Sequence, residues 1–198
     1  YNFYIIKHAN LIVSFMSNLS IILCTYNEEK FILKTLNEII KNDIVDEIII
    51  IDDDSKDKTV EIINQIKNKK IKLIVRKDIR GFASALNLGI SISRNNHILR
   101  FDVDMYASIN YFLDSFKKYK YKDCVIFSRY IENGKDLRGN FRKITSAIIN
   151  KICVLLLSPK IKDYTSCIFF LNKKILKDTP INNTLYANFI IEFIFSLI

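Results

Sequence analysis

The stretch Asn96-His97-Ile98-Leu99-Arg100-Phe101-Asp102-Val103-Asp104-Met105 decides how the rest of this chain is read. Residues His97 to Phe101 form a short apolar run that ends in two carboxylates two positions apart. In an extended segment the side chains at i and i+2 point to the same side, so Asp102 and Asp104 can converge on one hard cation. Mg²⁺ or Mn²⁺ takes oxygen ligands and keeps water or substrate phosphate in its other positions. An Asp-x-Asp at a strand end therefore points to a metal holding a diphosphate. The plainer alternative for the same spacing is a turn. The surrounding chain separates the two.

Upstream, Leu19 to Cys24 reads as a first strand, followed by Thr25-Tyr26-Asn27-Glu28 and a helix with Ile32, Leu36, Ile39 and Ile40 on one face. Ile44 to Ile51 is a nearly continuous β-branched run, the pattern of a strand buried on both faces of a parallel sheet. It runs into Asp52-Asp53-Asp54-Ser55, after which Asp57 and Thr59 open a second helix through Val60, Ile63 and Ile66. Ile71 to Val75 is a third strand, and Arg80-Gly81 begins a third helix whose Ala85, Leu86 and Gly89 allow close packing. Strand and helix in alternation predict an α/β layered, mostly parallel sheet. Ligands in such sheets bind beyond the carboxyl ends of the strands. Tyr26 to Glu28, Asp52 to Ser55 and Asp102 to Asp104 all stand at such ends.

Downstream the pattern is less regular. Lys122 to Ser128 reads as a strand ending in Ser128-Arg129-Tyr130, and Asn133-Gly134 marks a turn. A helix from Phe141 to Leu157 carries Arg142, Ser146 and Asn150 four residues apart, on one face. Asp163 to Ser166 precedes a short strand, Cys167 to Leu171, and a final apolar helix after Pro180 bears one acid, Glu192. That carboxylate is costly unless exposed or paired.

A chain of 198 residues with 49% hydrophobic and 26% charged residues suits one globular domain. The net charge of +9 permits an anionic membrane surface or a phosphorylated ligand. It does not point to nucleic acid, because no RNP, KH or zinc-finger pattern appears and the acidic strand ends repel phosphate without a metal. Cys24, Cys124, Cys153 and Cys167 form no CxxC pair and read as reduced core thiols of a cytosolic protein. No apolar run is long enough to span a bilayer; Ile152 to Leu157 and Phe189 to Ile198 read as core or interfacial helix. Residues 1–15 are poorly patterned and expected to be an extension outside the core, with Met16 as the natural start and residues 16–198 as the domain.

The segments SIILCTYNEEKFI, EIIIIDDDSKDKT, RGFASALNLGI, HILRFDVDM, FSRY and RKITSAIIN occur in the order and spacing of family-2 glycosyltransferases. The chain is most similar in them to the dolichyl-phosphate mannosyltransferase branch and its bacterial polyprenyl-phosphate relatives. The resemblance, over Leu19 to Glu192, implies the GT-A fold, a Rossmann-like sheet that binds a nucleotide diphosphate sugar carrying GDP or UDP. It implies nucleotide contacts at Cys24, Tyr26 and Glu28, a base and ribose site at Ile51 and Asp53, and a metal and sugar-diphosphate site at Asp102, Val103 and Asp104. Arg129 matches an arginine facing the phosphates, Arg142 and Ser146 a helix near an acceptor phosphate, and Glu192 a family acid. Cys24 replaces the usual proline, Tyr106 stands where a polar residue often completes the metal shell, and Cys167-Ile168 replaces Gly-Phe. The family's later segment, with a further Arg and Lys, lies beyond Ile198, so the domain reads as truncated at its C-terminus.

The resemblance implies an inverting, Mg²⁺- or Mn²⁺-dependent transfer of a sugar to a polyprenyl phosphate, with Asp104 and Arg129 as catalytic residues. A phosphate acceptor is already anionic and needs arginines more than a base. Transfer to a saccharide hydroxyl needs a base, for which Asp163 is the candidate. An inactive nucleotide-binding remnant is the third possibility. The expected location is the cytoplasmic face of a membrane, held peripherally.

Overall fold

The computed structural model describes residues 2–6, 18–104, 108–130, 139–183 and 188–198, with the backbone alone at 2–6 and at 142. Among the described residues seven strands, β1 (Asn2–Ile6), β2 (Leu19–Thr25), β3 (Val45–Asp52), β4 (Ile71–Val75), β5 (His97–Arg100), β6 (Cys124–Ser128) and β7 (Phe169–Asn172), form one sheet in the order β1-β6-β7-β5-β2-β3-β4. β2, β3, β4 and β5 are parallel, and helices connect them. The helices are α1 (Ile32–Ile40), α2 (Thr59–Gln65) and α3 (Phe82–Ile92). β6 and β7 complete the sheet, with β7 antiparallel to both β5 and β6.

Strand periodicity sorts the core into two layers. Ile21, Leu23, Ile48 and Ile50 face α1, α2 and α4 (Ile109–Tyr119). Ile22, Ile98, Phe169 and Leu171 face α3 and α6 (Phe189–Ser196). Successive residues of one strand thus serve opposite layers, which is why β3 reads as continuously apolar. Gly89 lets α3 lie directly on β2, since a Cβ there would stand 2.6 Å from Ile22 Cγ2. On the other layer Phe112 and Phe127 pack edge to face with ring centres 4.7 Å apart.

Three features depart from the sequence expectation. Residues Asn2–Ile6 are an edge strand, β1, paired antiparallel with β6 from Asn2↔Ser128 to Ile6↔Cys124, rather than an extension outside the sheet. α4 is not among the expected elements, although Ile109, Phe112, Leu113 and Phe116 follow a helical period and Ser108 caps Asn110. The last strand begins at Phe169 rather than Cys167, because Cys167 and Ile168 are part of the crossing that brings the chain onto the site edge. The helix expected at Phe141 to Leu157 is α5 (Asn140–Leu156). Met16, Tyr106 and the Asn133-Gly134 turn lie outside the described residues.

Because β2, β3 and β5 run parallel, their ends Thr25, Asp52 and Arg100 share one edge of the sheet. The antiparallel β7 starts at that edge, with Phe169 opposite Arg100, and β6 finishes there at Ser128.

Candidate active site

Two loops are stitched together at this edge. Asn27 and Asp54 both adopt left-handed backbone, at φ 58° and 61°, a conformation that Asn and Asp tolerate better than most residues. The Asn27 N–H donates to Ser55 Oγ (2.9 Å), the Lys56 N–H donates to Asn27 Oδ1 (2.8 Å) and the Glu28 N–H donates to Thr59 Oγ1 (2.7 Å). Asp52, fully buried, accepts from Thr25 Oγ1 (2.7 Å) and from the Ser55 N–H (2.8 Å). The polar run after β3 is thus partly scaffold, with Asp52 fixing the loop and Asp53 presented beside it.

Asp53 is oriented by groups from two other elements. Arg76 Nε donates to its Oδ1 (2.7 Å) and the Gly81 N–H donates to Oδ2 (2.9 Å). Arg76 also donates to Ser84 Oγ (2.9 Å) and to the Gly81 carbonyl (3.0 Å), tying β4 to the head of α3. Gly81 is suited to this corner because its φ of 133° is open to glycine and strained for other residues.

The Asp-x-Asp turn is set by alternation. Phe101 and Val103 are buried in the layer beside α1 and α4, while Asp102 and Asp104 are half-buried. Thr35 Oγ1 donates to the Val103 carbonyl (2.8 Å) and pins the turn to α1. Arg100, two residues before Asp102, is buried; it is ion-paired with Asp102, donates Nη1 to the Cys167 carbonyl (2.7 Å) and lies 4.3 Å from the centre of the Phe82 ring. Burial works against the Arg100 charge, but Asp102, with smaller contributions from the neighbouring Cys167 and Cys24, outweighs it, so its pKa is raised. Its buried Nε has no partner among the described residues.

These groups line one cavity of about 490 Å³. Cys24, Tyr26, Glu28, Asp53 and Asp102, five of the expected site residues, border it. Arg80, Phe82, Arg100 and Cys167 border it as well and were not anticipated as site residues. At its rim the Arg80 guanidinium sits 5.7 Å from the Tyr26 ring centre and 3.3 Å from Asp54. The Cys24 thiol is pushed up to about 12, chiefly by burial, so it is a neutral wall rather than a nucleophile at neutral pH.

The remaining expected residues fall elsewhere. Ile51 is fully buried, packed with Ala85 against Cys24, so its side chain supports the cavity wall without reaching the interior. Val103 faces the core. Asp104 follows Asp102 in the turn but does not border the cavity. Arg129 is paired with a carboxylate: its Nε and Nη2 donate to Asp163 Oδ2 (2.9 Å) and Oδ1 (2.8 Å), and its N–H donates to Oδ2 (3.0 Å). That pair also removes Asp163 as a base, since the carboxylate is 1% exposed with both oxygens taken. Ser146 is half-buried on α5, away from the cavity lining, and the Arg142 side chain lies outside the described residues. Glu192 is exposed and accepts from Asn182 Nδ2 (3.2 Å), which resolves the cost of a carboxylate in an apolar helix.

Among the described residues no cluster of three or more His, Cys, Asp or Glu side chains could by itself hold a metal ion. The hard-oxygen donors of Asp102 and Asp104 nevertheless suit an ion of the Mg²⁺ class, which is held by one or two carboxylates plus substrate phosphates.

Comparison with known proteins gives these features a context. The profile of glycosyl transferase family 2 matches residues 20–179. An uncharacterized glycosyltransferase of Haemophilus influenzae is 32% identical over 185 residues, 79% of this chain and 72% of its own length. The poly-β-1,6-N-acetyl-D-glucosamine synthase of Staphylococcus epidermidis is 31% identical over 68% of this chain, which spans 34% of that protein. Glucosyl-3-phosphoglycerate synthase of Mycobacterium tuberculosis, solved with Mn²⁺, UDP and glucosyl-3-phosphoglycerate, has a TM-score of 0.67 at 16% identity, with 90% of this chain and 64% of that one covered. S. aureus TarS has a TM-score of 0.62 at 21% identity, covering 90% of this chain and 55% of its own.

Proposed function

This chain belongs to glycosyl transferase family 2, and from that premise we propose that it moves a sugar from a UDP-sugar to a hydroxyl of a saccharide or sugar phosphate. The observation that carries the proposal is the cavity at the carboxyl edge of the sheet, where Tyr26, Glu28, Asp53 and Asp102 meet Arg80 and Arg100. The matching synthases make a polysaccharide and a glucosylated phosphoglycerate by name, and the latter was solved with UDP. Both weigh towards a hydroxyl acceptor, on a saccharide or on a phosphorylated hydroxy acid, and away from the polyprenyl phosphate that the sequence resemblance implies.

In this reading the exposed Tyr26 ring offers a face for the uracil, and Asp53, fixed by Arg76 and the Gly81 N–H, accepts from the ribose hydroxyls. Arg100 places a permanent positive charge beneath the cavity and, through its ion pair, sets the direction of Asp102. Arg80 at the rim adds a second cation for the diphosphate. A divalent ion, held by Asp102 and Asp104 together with the donor's diphosphate, would neutralise charge on the leaving UDP. The acceptor hydroxyl, as it bonds to the sugar, gives its proton to solvent water in the cavity, because Asp163 is sealed away. Arg129 and Asp163 contribute by holding the chain beside the cavity rather than by touching substrate.

The test incubates the chain with Mn²⁺ and radiolabelled UDP-sugars, offering soluble oligosaccharides and sugar phosphates against polyprenyl phosphate. Label on a saccharide or sugar phosphate is expected. Label confined to the lipid would establish the acceptor first implied by the sequence. UDP binding without transfer to any acceptor would mark a nucleotide-binding remnant.

A further inference from the structure

α5 turns its apolar side outward. Phe141, Ile144, Ile148, Ile152 and Leu155 recur at intervals of three and four, so they form one stripe along the helix, and Leu156 borders it. All are exposed, Phe141 at 81%, Leu155 at 83% and Leu156 at 73%. The opposite side is anchored. Cys153 is buried, and Asn150 donates Nδ2 to the Lys162 carbonyl while its Oδ1 accepts from the Tyr164 N–H (2.7 Å). The helix therefore cannot roll to bury its stripe without breaking the contacts that hold the segment around Asp163. Contiguous exposed apolar surface of this extent along one helix marks an interaction site.

Charge selects the partner. From Gly139 to Lys162 the chain carries Arg142, Lys143, Lys151, Lys160 and Lys162 and no acid. Lys151, Lys160 and Lys162 are exposed. A helix with an apolar stripe, basic flanks and no acids has the composition of one that lies in a lipid interface, its apolar side below the headgroups and its lysines among anionic ones. A protein groove would supply the apolar half of this complementarity but gives no reason for so one-sided a charge. No helix among the described residues is long and apolar enough to cross a membrane, so the contact is one of lying on the surface.

We infer that the outer side of α5 is a docking surface for an anionic lipid bilayer. The inference holds whichever acceptor is used, since it rests on the helix and not on the cavity. Docked this way, α5 carries the Asn150–Tyr164 link to the segment of Asp163 and Arg129, so the candidate active-site edge is tied to the membrane-facing helix.

The test is flotation of the full chain with vesicles of phosphatidylcholine alone and of phosphatidylcholine with phosphatidylglycerol. The chain is expected to float with the anionic vesicles and to be partly released by salt. Ile148→Ser with Leu155→Ser should lower partitioning by roughly tenfold or more, the effect of leaving such side chains in water. Lys151→Glu with Lys160→Glu should lower it by a similar factor on anionic vesicles only. Leu33→Ser, an exposed position on α1, should change nothing. The substituted side chains are exposed, so unchanged circular dichroism is expected for each variant. Absence of flotation, or flotation that none of the α5 variants weakens, would overturn the proposal. So would a concentration-dependent dimer in sedimentation velocity that Ile148→Ser with Leu155→Ser dissolves, because the stripe would then be covered by a second copy.

Discussion

Of the arginine–aspartate pairs at this sheet edge, two that are separated by one strand have opposite characters. Arg100 and Asp102 close β5: the guanidinium side chain is 4% exposed, but the carboxylate is 36% exposed and borders the cavity. Arg129 and Asp163 follow β6 and precede β7, and both are buried, at 8% and 1%. The first pair leaves its acid available to a ligand. The second spends every carboxylate oxygen inside the protein, on Arg129, Thr165 and the Arg129 N–H. Residue type does not distinguish a binding acid from a structural one; whether its carboxylate still borders the cavity does.

The largest effect expected from this contrast is on folding. Asp163→Ala leaves the buried Arg129 without the acid that neutralises it, and removing one partner of a buried pair costs about 3–5 kcal/mol. Urea unfolding measures it. A loss below about 1 kcal/mol would show that water already reaches the pair, and the distinction between the two corners would break.

At the open pair the effect should move from stability to binding. Asp102→Asn keeps an acceptor for Arg100 while weakening the site for a divalent ion. Mn²⁺-dependent UDP-sugar binding should fall roughly tenfold to a hundredfold by calorimetry, with unfolding changed by about 1 kcal/mol. Asp104→Ala should repeat the binding loss without disturbing either pair. Unchanged Mn²⁺-dependent binding in both variants would remove the metal from the proposed site.

What could be read from the sequence follows the range of the signal. The parallel half of the sheet, the clustering of Tyr26, Glu28, Asp53 and Asp102, and the close packing at Gly89 all rest on local periodicity and on the rule that parallel strands share an edge. Arg100 was within reach of the same logic, since it stands two residues before Asp102, yet it was absorbed into an apolar strand. Arg76 and Asp163 were not legible as partners of Asp53 and Arg129, because the members of each pair lie 23 and 34 residues apart and meet only when the sheet closes. The resemblance supplied Arg129 as an arginine facing phosphates, and nothing local to Ser128-Arg129-Tyr130 announces the acid that reaches it from another loop. The basic composition hinted at a membrane surface, but only the fold shows that α5 points its apolar stripe outward.

The smallest predicted effect probes the ground between the two pairs. Cys167 borders the cavity, and its carbonyl accepts from Arg100. Its thiol is pushed up to about 11, first by burial and then by a balance in which Arg100 and Arg129 favour the thiolate while Asp102 and Asp163 oppose it. A raised thiol pKa means that the folded chain keeps a proton the unfolded chain has lost. Stability from this group is therefore complete below about pH 9 and declines as pH rises through about 11. Cys24, raised to about 12, contributes in the same direction. Comparing urea midpoints at about pH 8 and about pH 10, the native chain should lose on the order of 1 kcal/mol from each such thiol, and Cys167→Ser should lose less. An equal alkaline loss in the variant would mean that water enters between the pairs, and that the sealed corner is as open as the cavity beside it.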